Sequence, residues 1–276
     1  VQVGAFGTGT LTATNGARVS SRLCEIGGQS EGDGLVTLDH ASWVVERGFG
    51  VGQIVLESPG PDDTPGFGVL KLIEGNVEVG TLLQATAQSR IEGTGVVTTQ
   101  LGAFLEGSVA PGVAISTGGE NKRHAHPALI ARQKQTTPES SLGALDFSGD
   151  VLFNGTTIEI EARGLGNGNH DTITVTGTAT LEGADVQIVF IDGYLPSAGD
   201  QIPFLSADNV VIDEATTFTY SGADEGFEFA VMTDGEVLVF EAMNDAVGTG
   251  GEGEGEGEEP KQPVACHAGG GGTRGA

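Results

Sequence analysis

Cysteine is almost missing from this chain, and with it any disulfide framework: Cys24 and Cys266 are the whole complement. One sits in a strand-rich segment and the other in a glycine-rich tail, so a bond between them is not expected. Scarce cysteine by itself does not separate cytosol from exterior. Aromatic residues make up only 5%, with one Trp and two Tyr, which leaves little surface for stacking sugars. Basic residues are scarcer still, at 12 Lys and Arg against 38 Asp and Glu. No run approaches the roughly 18 apolar residues of a membrane-spanning helix, and the given sequence contains no signal-peptide pattern, so a mature form or a fragment is expected.

The sign of the charge excludes a partner class. Residues 1–120 carry 13 acids and 5 bases, residues 121–138 carry 4 bases and no acid, residues 139–246 carry 20 acids and 1 base, and the rest carry 5 acids and 2 bases. Phosphate backbones are held by Lys and Arg, so nucleic acid is not an expected partner.

Glycine, by contrast, supplies 47 of 276 residues, well above the roughly 7% of average usage. The chain must turn often, and long helices are not expected. Between the glycines stand short bursts of Val, Ile, Leu and Thr: Thr10 to Ala13, Ala17 to Ser20, Leu35 to Leu38, Trp43 to Val45, Ile54 to Leu56, Val69 to Ile73, Val77 to Val79, Val96 to Thr99 and Leu101 to Leu105. Asn15-Gly16 and Asn154-Gly155 are tight-turn signals. They fit hairpins or the corners of a coil equally well.

Three segments share a Gly-x-Gly lead into an alternating strand: Gly7 to Val19, Glu31 to Val45 and Glu92 to Leu105. Units of roughly 20 to 45 residues that cannot bury an apolar face alone stack into a solenoid. The expected fold is therefore all-β, a stack of parallel strands with Val, Leu and Ile inward and Thr, Gln and Ser outward. Residues 142–246 have longer, cleaner strands and admit a small antiparallel β-sandwich as the alternative.

The expected organisation is β-helix repeats over 1–119, a basic inserted loop over 120–141, a β-helix continuation or β-cap over 142–246, and a tail over 247–276. Alternating Glu and Gly from Glu252 to Glu259 cannot form a core and reads as a solvated spacer.

The run RIEGTGVVTTQLGAFLEGSVAPG, with the turn at Gly107 to Gly112, the strand Thr157 to Glu161, the segment Asp171 to Gly177 and the turn Pro196 to Asp200, resembles autotransporter-passenger-like and PEP-CTERM-type bacterial surface proteins. The resemblance implies a secreted right-handed parallel β-helix, adhesive or structural, with no catalytic residue to carry over. The implied location is extracellular or at the cell surface, and the implied partners are surface glycans or other envelope proteins. The given sequence has neither the terminal β-barrel of the first group nor the C-terminal sorting signal of the second.

Candidate chemistry is thin. His124 and His126 sit one residue apart beside Lys122 and Arg123; paired imidazoles bind metals, yet an exposed basic loop explains them as well. Cys266-His267 lies among glycines that cannot preorganise ligands. Asp62-Asp63, the loop Asn167 to Asp171, and Asp224-Glu225 offer the hard oxygens that calcium takes, but no calcium-loop motif. Glu159 and Glu161 share one strand face opposite Ile158 and Ile160. Such a carboxylate pair, with Arg163 beside it, suits hydrolysis or lyase chemistry on a polysaccharide. An alternating strand must also put something polar outside. No catalytic, cofactor-binding or metal-binding residue is assigned, and no cofactor is expected. The leading reading is a non-catalytic secreted or cell-surface protein, and the alternative is a polysaccharide-processing β-helix enzyme.

Overall fold

The structure, a computed structural model, describes residues 1–5, 7–28, 32–52, 66–112 and 142–247. Every regular element among them is a strand, twenty-one in all. The strands wind as successive three-sided coils. The first coil holds β1 (Gln2–Val3), β2 (Thr8–Thr14) and β3 (Arg18–Ser21), and the second β4 (Cys24–Ile26), β5 (Asp33–Asp39) and β6 (Ser42–Val45). The third holds β7 (Phe49–Val51) and β8 (Phe67–Val79), and the fourth β9 (Leu83–Ala85) and β10 (Ser89–Thr99), where β8 and β10 each bend across two sides. The fifth holds β11 (Ala103–Leu105), β12 (Ser108–Pro111) and β13 (Ala144–Ser148). In the sixth come β14 (Val151–Asn154), β15 (Thr157–Ala162) and the start of β16 (Thr172–Glu182). The end of β16, β17 (Asp185–Phe190) and the start of β18 (Gln201–Ile212) make the seventh, and the end of β18 with β19 (Thr217–Ser221) makes the eighth.

Parallel pairing joins each coil to the next. Along the first face, β1, β4, β7, β9, β11 and β14 pair in turn, followed by the ends of β16 and β18. This is a parallel β-helix, with one continuous body from β1 to β19. The interior explains why the chain coils this way. On the second face Leu11, Val36, Leu70, Ile91, Val109, Ile158, Val186 and Phe218 lie in register, and all but Leu11 are buried. Full burial of such a side chain contributes about 1.5–3 kcal/mol, so each coil is held mainly by the apolar layer it shares with its neighbours.

Glycine sets one corner. Gly9, Gly34 and Gly68 are register partners, and a Cβ on Gly34 would strike the Val3 carbonyl and the Gly27 nitrogen. The backbone of the first face runs so close here that only hydrogen fits. Asn15 (φ 57°) and Gly16 (φ 77°) have the positive φ expected of their pair, but β2 and β3 pair with β5 and β6 rather than with each other. The Asn-Gly pair is a coil corner, not a hairpin; Asn154-Gly155 likewise sits between β14 and β15 on different faces. The third Gly-x-Gly lead, Gly93 and Gly95, falls inside β10 where it bends from the second face to the third. The first two leads feed the second face, which is why the repeat spacing is irregular.

Leu83 pairs with Ala103, 20 residues on, whereas Ala103 pairs with Val151, 48 residues on. The flanks of that long step meet: a Cβ on Gly143 would stand 2.5 Å from the Gly112 Cα. The coil thus closes across residues 113–141. The basic segment 120–141, the strand expected at Ile54 to Leu56 and nearly all of the tail 247–276 lie outside the described residues. Leu101, expected as strand, is a corner residue, 72% exposed ahead of β11.

At the far end the pattern reverses. β20 (Phe229–Thr233) and β21 (Val237–Ala242) pair antiparallel, and β21 lies antiparallel on β18. Rings concentrate here: Phe229 stacks on Phe240 at 4.6 Å, and Phe190 meets Phe227 and Phe240 edge-on at 5.7 Å. The few aromatics therefore gather at an end beyond which the described residues form no further coil. Trp43, the one tryptophan, is fully buried against Phe49 and donates its indole N–H to Ser21 Oγ at 3.0 Å.

Candidate functional site

Two outward surfaces bear on function. The first is a charged cluster on the second face. Alternation along β15 puts Ile158 and Ile160 inside and Glu159 outside, as the sequence requires. Glu159 is not free to act on a substrate, because Arg90 Nη2 donates to its Oε2 at 2.8 Å. Arg90 Nε also donates to Glu92 Oε2 at 2.7 Å, and Lys71 Nζ stands 3.7 Å from Glu92 Oε1. Glu92 pairs in register with Ala110, and Glu159 lies one residue beyond the pair Val109 and Ile158. The guanidinium therefore spans the gap left by a small side chain. Burial opposes the charge on Arg90, but the two carboxylates raise its pKa further.

Glu161 is 4% exposed although its neighbours alternate. The loop after β15 returns over it: Ala162 bridges His170, and the Asp171 N–H donates to the Glu161 carbonyl at 2.8 Å. Asp171 is 1% exposed and takes N–H bonds from Glu161 (2.9 Å) and Gly143 (2.7 Å). Burial pushes its pKa up to about 8 despite those bonds, and the Glu161 and Glu159 charges add to the rise. His170 is buried with Nδ1 unpaired, and burial lowers its pKa. Arg163 reaches only the Gly168 carbonyl, at 3.4 Å. Glu159, Glu161 and Arg163 are neighbours in sequence that the structure does not bring to one open cleft.

The loops weighed for calcium have other bonds. Asn169 Nδ2 donates to the Leu165 carbonyl, and Asp171 is committed to the backbone as above. Asp224 receives the N–H groups of Val247 and Gly226. No group of three His, Cys, Asp or Glu among the described residues is placed to hold a metal. His124, His126, Asp62, Asp63, Cys266 and His267 lie outside those residues. Cys24 is fully buried, and desolvation pushes its thiol pKa well up.

The second surface was not legible in the sequence. On the first face a hollow of about 370 Å³ opens between Leu82, Leu101, Phe104, Asp150, Leu152, Thr178 and Thr180. Phe104, Leu152 and Thr180 are successive register partners in β11, β14 and β16, and each faces outward between buried neighbours. An outward aromatic thus exists where none was expected. Its signal was the order Ala103-Phe104-Leu105, in which the middle residue of a short strand must point away from the core.

Comparison with known protein families, curated proteins and solved structures finds no match. The reading of this chain rests on its own geometry. A smaller hollow of about 240 Å³ on the third face lies among Arg18, Ser42, Trp43, Val44, Asn76 and Glu78. Its charged members, Arg18 and Glu78, stand on β3 and β8, on either side of β6. No helix among the described residues is long and apolar enough to cross a membrane.

Proposed function

We propose that this chain is a non-catalytic β-helix of the cell exterior, secreted or surface-bound, with an adhesive or envelope-structural role. The observation that carries the reading is the contrast between its two surfaces. The carboxylates suited to acid–base chemistry are engaged, Glu159 by Arg90 and Asp171 by two backbone N–H groups. Among the described residues the larger hollow is lined mainly by Leu, Phe and Thr, with a single carboxylate and no Lys, Arg or His. Polysaccharide lyase chemistry calls for a base together with a cation beside the developing charge; among the described residues the larger hollow has no cation, and only the smaller one carries both, as Arg18 and Glu78. A stack of coils, each held by its neighbours, suits a protein whose work is to present a long surface. Surface glycans and other envelope proteins are the proposed partners, in line with the resemblance to autotransporter-passenger-like and PEP-CTERM-type proteins.

The test is binding of the purified chain to a glycan array and to whole bacterial and host cells, with release of products from the same glycans followed in parallel. Binding without product is the expected result. Product release would overturn the reading and direct attention to Asp171, Glu159 and Glu161.

A further inference from the structure

We propose that the hollow on the first face is a binding site for neutral, hydroxyl-rich sugars, with Phe104 as the ring platform. The proposal rests on the non-catalytic surface reading and names the ligand class of that surface. Its volume of about 370 Å³ falls in the usual range for small-molecule sites, about 300–1,000 Å³. Phe104, Leu152 and Thr180 follow one another along the stack, and strands repeat about every 4.8 Å. The lined strip is therefore about 10 Å long, enough for a short run of sugar rings lying along the axis.

Exposed apolar groups mark the spot. Leu101 is 72% exposed and Leu82 39%, both at the rim, and clustered exposed apolar surface is a signature of an interaction site. A second copy of the chain is too large an occupant. The first-face strands are three or four residues wide here, roughly 10–14 Å, and a stable protein interface covers about 800 Å² on each partner.

Polar groups at the rim then select the chemistry. Asp150 Oδ1 accepts the Thr178 N–H at 2.8 Å, which orients the carboxylate, while Oδ2 and the Thr178 and Thr180 hydroxyls make no hydrogen bond among the described residues. A carboxylate and two hydroxyls match the hydroxyls of a sugar. Among the described residues no Lys or Arg lines the hollow, and a chain of net charge −26 repels anionic polysaccharides. The ligand is thus an uncharged one.

The experiment titrates the full chain calorimetrically with cello-, manno-, xylo- and chito-oligosaccharides, and with oligogalacturonate and alginate oligomers. At least one neutral series is expected to bind and the anionic ones not. Phe104→Ala is expected to weaken that binding at least tenfold, Phe104→Trp to keep it, and Leu101→Ser, a change at an exposed position that spares the core, to weaken it severalfold. Thr12→Ser, at an exposed position on the second face, serves as the control outside the hollow. Absence of binding by every neutral series, equal binding by Phe104→Ala, or tighter binding of the anionic oligomers would each overturn the proposal. The wider reading fails separately. Cleavage of any of these sugars sinks it, whereas cell-surface binding that Phe104→Ala leaves intact sinks only the sugar site.

Discussion

Arg90 in the fourth coil bonds to Glu159 in the sixth, Nη2 to Oε2 at 2.8 Å, passing over the fifth at Ala110. The same guanidinium holds Glu92 of its own strand β10, so one side chain ties the fourth coil to the sixth across the fifth, at the place where the chain leaves its ladder after Gly112. Removing Arg90 would take this partner from Glu159 and leave Glu92 with Lys71, 3.7 Å away.

Arg90→Ala should therefore destabilise the fold by about 3 kcal/mol, the order found when one member of a buried ion pair is removed. Arg90→Lys should recover only part, since an ammonium lacks the planar fork that reaches two acids. Urea unfolding checks both, and a double-mutant cycle with Glu159→Ala isolates the pair. A loss below about 0.5 kcal/mol for Arg90→Ala would place the pair among solvent-screened surface bridges.

Asp171 makes stability depend on pH. Its folded pKa of about 8 lies above the ordinary 3.8, so the folded state holds this proton more tightly than the unfolded chain. The contribution is fully present below about pH 4 and is lost as pH rises through 8. His170 acts on the opposite limb: its lowered pKa makes protonation costly, so stability is lost as pH falls below 6.5. Thermal midpoints measured from pH 4 to 9 should fall on the alkaline side in the wild type and fall less in Asp171→Asn. An unchanged alkaline slope in that variant would locate the proton elsewhere.

Gly34 and Gly16 should respond differently to the same substitution. Gly34→Ala drives a methyl into the Val3 carbonyl and the Gly27 nitrogen, and overpacking against rigid backbone costs about 3 kcal/mol. Gly16 has φ +77° but open space around it, so Gly16→Ala should cost only about 1 kcal/mol, the conformational penalty alone. Denaturant midpoints decide the matter, and equal losses would contradict the close-packed corner.

Deletion of residues 113–141, joining Gly112 to Leu142, should leave far-UV circular dichroism and the thermal midpoint within a few degrees of the parent. The flanks already touch at Gly112 and Gly143, and the shortened step of about 19 residues matches the 20-residue coil between Leu83 and Ala103. A large drop would contradict closure of the coil across Gly112 and Gly143.

The stacked β architecture was readable because alternation in segments such as Asp33–Asp39 and Asp185–Phe190 is long enough to show a period of two. The first-face strands were not. Cys24–Ile26, Phe49–Val51 and Leu83–Ala85 are three residues each, too short for any period to register. Connectivity at Asn15-Gly16 also stayed open, since a tight turn has the same local chemistry whether the next strand pairs back or moves to another face. At Glu159 and Glu161 the shared face was read correctly. The burial of Glu161 was not, because it depends on the return of the chain at His170 and Asp171. The first-face hollow joins Phe104 to Leu152 across 48 residues, a juxtaposition set by stacking rather than by any local pattern.

The antiparallel pair β20 and β21 has a consequence for assembly in crowded surroundings. A bare parallel edge is a template on which further strands can add. At this end the reversed β21 occupies part of the β18 edge, packed under Phe229 and Phe240, so an incoming parallel coil meets strands running the wrong way. Among the described residues β21 thereby withdraws the first half of β18 from pairing with an incoming coil, while β19 pairs with β17 alone.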